Sequence, residues 1–202
     1  MMILRYSPAS PFSRKVRMAL AATGLLPRTE LAKVDTRAPE PAFFVENPLG
    51  KIPVLVRDNG DSLFDSPVII GYLDRLAPGI LLPADPEARL ATLKLEALAD
   101  GLLDAALLQI YEARYRPEAR RHPDWVAWQA GKVARVLDYL EGATLPQAPF
   151  TDAGALALAS ALGYLDLRFD GRWRADHPAL VDWLGRFAAA VPAFAETDPE
   201  LP

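Results

Sequence analysis

The hydrophobic period of this chain changes once, near residue 77, and that change limits what it can fold into. Before it, short extended runs alternate with helical stripes; after it, every periodic stretch has helical spacing. Ile3 to Tyr6 reads as a first strand. Ser10 then offers an N-cap with Pro11 at the first helical position, and Phe12, Val16 and Leu20 recur every four residues toward a helix end near Gly24. Leu31 to Asp35 reads as a second strand, Pro41 to Glu46 as a short helix and Ile52 to Val56 as a dense apolar strand. The turn Asp58-Asn59-Gly60-Asp61 folds Ser62 to Phe64 back as a hairpin, and Ser66, read as an N-cap before Pro67, opens a helix to about Leu76. The order is βαβ, α, ββα, which predicts an α/β unit over 1–76.

Residues 77–86 hold three prolines and no periodicity, and are expected to form an extended linker. Residues 87–202 are expected to be all helical. Leu95, Leu98, Leu102 and Ala105 share one face, as do Val133, Val136 and Leu140, and then Leu158, Leu162 and Leu165. The tail after Val191 is expected to run over the surface.

Composition narrows the function classes. A net charge of -4 gives no electrostatic reason to bind nucleic acid or an anionic membrane. With no cysteine, the chain excludes disulfides, thiolate metal sites and a cysteine nucleophile, so any thiol chemistry must come from a ligand. His122 and His177 each precede a proline with no second histidine at ligand spacing, so no metal site is expected. The opening residues are broken by Arg5, two prolines, Arg14, Lys15 and Arg17, unlike a signal peptide, and no apolar run is long enough to span a membrane. The cytoplasm is the expected compartment.

Three segments place hydrogen-bonding groups at the ends of elements: Ser10-Pro11-Phe12-Ser13, Asn47-Pro48-Leu49-Gly50-Lys51-Ile52-Pro53-Val54-Leu55, and Phe64-Asp65-Ser66-Pro67. A proline opening a strand can take the cis form at modest cost and turn the preceding backbone outward. A serine at a helix start before proline gathers a hydroxyl, free amides and the positive end of the helix dipole, which suits a carboxylate.

In that order the segments resemble the glutathione-binding half of the glutathione transferase family, with its thioredoxin-like N-terminal domain and all-helical C-terminal domain. The stretch Ala161 to Phe169 is similar to a small bacterial subgroup, and the resemblance covers essentially the whole chain. It implies that Ile52, before a cis Pro53, binds the cysteinyl backbone of glutathione through its main chain. It further implies that Asp65 and Ser66 grip the γ-glutamyl group, and that Ser10 donates a hydrogen bond to the thiolate, with Phe12 lining the site. Ser13 and Tyr6 remain alternatives to Ser10. Lys51 is a candidate for the glycyl carboxylate, while Ala9, Tyr111 and Tyr115 are candidates for the second-substrate pocket. Arg114, Arg116, Arg120 and Arg121 form either an exposed basic turn or a rim attracting an anionic substrate.

One departure from the family pattern concerns the sixth helix, where Asp152 can cap but Ala155 stands at the acidic position of the capping box. The activity implied is glutathione, as co-substrate, attacking a small electrophile within a homodimer. A non-catalytic glutathione-binding scaffold and a glutathione-dependent isomerase or peroxidase are the alternatives.

Overall fold

The computed structural model describes residues 1–199. Four strands form one mixed sheet in the order β2-β1-β3-β4: β1 (Met2–Tyr6), β2 (Thr29–Lys33), β3 (Val54–Val56) and β4 (Ser62–Leu63). β1 pairs parallel with β2 and antiparallel with β3, which pairs antiparallel with β4. The helices of this part are α1 (Pro11–Ala22), α2 (Pro41–Glu46) and α3 (Ser66–Leu76). Then follow α4 (Pro86–Tyr115), α5 (Pro123–Glu141), α6 (Ala153–Phe169), α7 (Pro178–Ala190) and α8 (Pro192–Glu196). The mixed α/β part followed by helices agrees with the fold class read from the sequence. No helix among the described residues is long and apolar enough to cross a membrane.

β3 begins at Val54 rather than Ile52 and β4 ends at Leu63 rather than Phe64. Two further boundaries differ for identifiable reasons. β2 starts two residues earlier, because Thr29 pairs with Met2 while Asp35 turns the chain by accepting from the Arg37 N–H at 3.0 Å. Ser66 is the first residue of α3 rather than its cap; Asp65 holds the cap position and makes no side-chain capping bond. The N-caps of α1 and α6 are as read: Ser10 Oγ accepts from Ser13 N at 3.2 Å, and Asp152 Oδ1 from Ala155 N at 3.0 Å.

Residues 77–85 contain neither helix nor strand, yet they are tied down. Asp74 Oδ1 accepts from the N–H groups of Leu81 and Leu82 at 3.0 Å each, and Leu81 O accepts from Ala153 N at 2.8 Å. The side chains of Leu81 and Leu82 are buried. The tail expectation is overturned. After Val191 the chain forms α8, buries Ala193 and packs Phe194 against the core; positions 200–202 lie outside the described residues. Its anchor is Arg14, whose Nη2 donates to Phe194 O at 2.6 Å while the guanidinium stacks on the Phe194 ring, 4.0 Å from its centre.

α6 is buried without interruption from Ala153 through Leu165, which explains its run of alanine and leucine. Gly154 and Gly163 permit close approach: an added Cβ would lie 2.9 Å from Thr92 O at the first, and would run into the Arg14 guanidinium at the second. Between α1 and α4 lies a charged contact that the apolar pattern does not foretell. Lys15, fully buried, donates to Glu96 Oε1 at 3.0 Å and to Asp100 Oδ2 at 2.7 Å. Burial pushes the Asp100 carboxyl above its ordinary value, against the pull of Lys15.

Replacing one member of such a cluster strands the others in a dry site. Lys15→Ala should lose roughly 3–5 kcal/mol of unfolding free energy at neutral pH, measured by urea denaturation. A buried carboxyl with a raised pKa folds more readily when protonated, so the loss should shrink as the pH falls toward about 5.

Candidate functional site

Strand register brings the three segments together. β1 and β3 are antiparallel with Arg5 opposite Val54, so Pro53 and Ile52 continue alongside Tyr6 and Ser7, where β1 leads to Ser10. β4 runs antiparallel to β3 with Leu63 opposite Leu55, so Phe64, Asp65 and Ser66 emerge at that same end of the sheet. The Ile52–Pro53 and Phe64–Asp65 peptide bonds are both cis.

Each segment leaves polar groups unused by the fold. Ser66 is buried at the start of α3, and its hydroxyl is released from capping. Ile52 takes no part in the main-chain hydrogen bonds of the loops and turns. Of the three candidate hydroxyls at the first segment, Tyr6 and Ser13 are buried and Ser10 is partly open. Tyr6 carries the Arg17 guanidinium over its ring, 5.0 Å from the centre. Because Ser10 Oγ caps α1 by accepting a bond, its O–H proton remains free to donate outward.

Two residues of this region had no role assigned from the sequence. Asn47, almost fully buried, clamps the loop: its Nδ2 donates to Lys51 O at 2.8 Å and its Oδ1 accepts from Leu49 N at 3.0 Å. That leaves Lys51 exposed and Pro53 buried. The Asn-Pro pair preceding a glycine at φ +63 was the available signal. Asp104 on α4 gave none, since only the packing of α4 brings it into the field of Lys51 and Asp65. Burial pushes its carboxyl up, Lys51 pulls it down and Asp65 pushes it up again.

The remaining candidates separate. Ala9 and Phe12 flank Ser10 and are half-buried. Tyr111 and Tyr115 lie further along α4, exposed and edge to face, their ring centres 5.3 Å apart. The basic cluster largely holds the α4–α5 connection. Arg116 donates to the buried Glu112, which also accepts from His122 N, and Arg121 donates to the carbonyls of Arg116 and Ala113. An open depression of about 590 Å³ beside that connection, lined by Trp125 and Trp128 among others, includes no residue of the three segments.

The cap geometry predicts unequal costs for two serines. Ser10→Ala should lower unfolding free energy by about 1 kcal/mol through the lost cap. Ser66→Ala, which removes no capping bond, should cost less than Ser10→Ala when both are compared by chemical denaturation.

Comparison with known proteins gives the context of this site. The model of the glutathione S-transferase N-terminal domain matches residues 4–80. The uncharacterized GST-like protein YibF of Escherichia coli is 37% identical over 199 residues, covering 96% of each chain. A glutathione transferase family member from Pseudomonas fluorescens Pf-5, solved with bound glutathione, superposes over the whole of both chains with a TM-score of 0.92 and 41% identity. A second structure described in the same terms holds S-(propanoic acid)-glutathione, with a TM-score of 0.87 and 40% identity over 99% of this chain and 100% of that one. With this coverage and identity, the chain belongs to the glutathione S-transferase family.

Proposed function

We propose that the protein is a glutathione transferase that binds reduced glutathione across the three segments and activates its thiol for attack on a small electrophile. The observation that carries this reading is the convergence, at one end of the sheet, of an uncommitted serine hydroxyl at a helix start, an Ile52 main chain unused by the loop and turn hydrogen bonds and a partly open serine at a second helix start. In the reading, Ile52 pairs through its main chain with the cysteinyl backbone of glutathione, a short form of strand addition, with Pro53 fixing the bend. Ser66 and the first amides of α3 hold the γ-glutamyl carboxylate, and Asp65 pairs with the ammonium. Lys51 takes the glycyl carboxylate, and Phe12 closes the wall.

A free thiol titrates near 8.5, so at neutral pH most glutathione is protonated. The Ser10 hydroxyl and the N-terminus of α1 both favour the thiolate, which is the nucleophile. Ser10 acts as donor and forms no covalent bond. Ala9, Tyr111 and Tyr115 border the place for the electrophile. The reading divides the chain into a glutathione unit over 1–76, a connection over 77–86 and a helical unit over 87–202, acting in the cytoplasm, where glutathione keeps thiols reduced. Support for conjugation as the reaction comes from the Pseudomonas fluorescens relative, whose bound S-(propanoic acid)-glutathione carries a substituted sulfur.

Calorimetric titration with reduced glutathione should show one site per chain with micromolar to low-millimolar affinity. Asp65→Asn and Ser66→Ala should weaken binding by roughly tenfold or more. Ser10→Ala should still bind glutathione but lose conjugation rate. Absence of heat and of competition at several millimolar would overturn the reading.

The same proposal includes a two-fold homodimer. Leu90 and Leu93 on α4 are 61% and 40% exposed, and Tyr139 on α5, next to Lys94, is 55% exposed, giving an apolar strip that the chain itself leaves uncovered. Light scattering should give twice the chain mass, and Leu93→Glu should shift it toward the monomer.

A further inference from the structure

About two turns beyond Asp104, the last turns of α4 and α6 carry Tyr111, Arg114, Tyr115 and Arg168, which the α4–α5 connection leaves unused, beside Tyr164 at the border of the core. Arg168 on α6 is half-buried, and its Nε is shut from solvent with no hydrogen-bond partner among the described residues. Its guanidinium carbon lies 5.9 Å from the centre of the Tyr164 ring, and Tyr164 is only 4% exposed. On α4, the Arg114 guanidinium carbon lies 5.8 Å from the centre of the Tyr111 ring, which meets Tyr115 edge to face. Burial pushes both Tyr111 and Tyr164 upward in pKa, while Arg114 and Arg168 pull each of them down, so two cations and two phenols share one field.

The acids nearby are already engaged. Asp166 accepts from Trp173 and from Arg174, Asp170 pairs with Arg172, and Glu112 pairs with Arg116. Among the described residues neither Arg114 nor Arg168 has a carboxylate partner. A guanidinium nitrogen withdrawn from water with nothing to bond is costly, and the cost is recovered when an acceptor arrives. The planar fork of arginine matches the two oxygens of a carboxylate, and phenol hydroxyls can donate to the same group.

We infer that Arg168, with Arg114 and the hydroxyls of Tyr111 and Tyr164, binds a carboxylate on the second substrate, so that the electrophiles taken here are small organic acids. This rests on the glutathione transferase reading and names the substrate class of its second site. Arg168 acts in binding and takes no part in making or breaking bonds.

The test compares S-(2-carboxyethyl)glutathione with S-propylglutathione, equal in length and differing by one carboxylate, in calorimetric titrations against reduced glutathione itself. The acid should bind the wild-type protein roughly tenfold tighter than the propyl compound. Arg168→Gln should abolish that preference, Arg168→Lys should retain part of it, and both should keep the wild-type affinity for glutathione, which reports an intact fold. Equal affinity for the two thioethers in the wild-type protein, or a preference that survives Arg168→Gln, overturns the inference while glutathione binding stands. Failure of glutathione to bind at all overturns this inference and the transferase reading together. The wild-type comparison needs no variant, so a poorly folding Arg168→Gln leaves the test decisive.

Discussion

The buried Lys15 ammonium is the contact on which the arrangement of this molecule depends. It sits on α1, four residues after the start of the helix whose N-terminus carries Ser10, and it reaches two carboxylates one turn apart on α4. Burying three charged groups costs several kcal/mol in desolvation, and apolar residues of the same volume could pack as tightly. What the ionic version adds is direction, because an ammonium must meet its carboxylates within hydrogen-bond distance while a leucine tolerates sliding. The neighbouring Arg14 does the same on the adjoining face. Burial pulls its guanidinium down to about 10, with Asp198 opposing, so it stays charged at neutral pH while holding α8 through Phe194 O. One helix is thus fixed to the long helix α4 and to the end of the chain, and the position of Ser10 follows from both.

The sheet contributes the other half of the geometry by a simpler route. Antiparallel pairing of β1 with β3 and of β3 with β4 puts the end of the first, the start of the second and the end of the third at one end of the sheet. No side chain has to be long or mobile for the three polar segments to meet. The loop from Asn47 to Lys51 is an irregular wall, and the Asn47 amide, bonded to main chain on both sides of a glycine, holds its shape.

How much of this was legible follows from what each feature depends on. α2 was readable to the residue and the start of α3 to within one, because Pro41 and Pro67 mark the first turn of a helix whatever the tertiary context. The capping bonds of Ser10 and Asp152 are local and were readable for the same reason. α8 was missed because five residues carry too little periodicity; its stability comes from Arg14, nearly 180 positions away in sequence. Lys15, Glu96 and Asp100 were illegible as a group, since charged residues usually point to water and nothing in the periodicity marks these as turned inward. Ser66 was misplaced by one position, and the difference matters: a serine at the cap spends its hydroxyl on the helix, whereas one residue further in it does not.

Charge along α4 ties these parts together. Glu96 and Asp100 share the single ammonium of Lys15, while Asp104, a turn later, shares its surroundings with Asp65 and Lys51. In the proposed reading, two carboxylates against one exposed lysine at that point hold the ammonium of the ligand. Further on the sign reverses, for Arg114 stands in the last turn of α4 and Arg168 near the end of α6, with no carboxylate of the described residues paired to either. Cations near helix C-termini are favoured by the dipoles, which stabilise both arginines independently of any partner. In the proposed reading, a bound molecule with an ammonium at one end and an acid at the other meets Asp65 and Asp104 at the first and Arg114 and Arg168 at the second, so opposite charges distinguish its two ends.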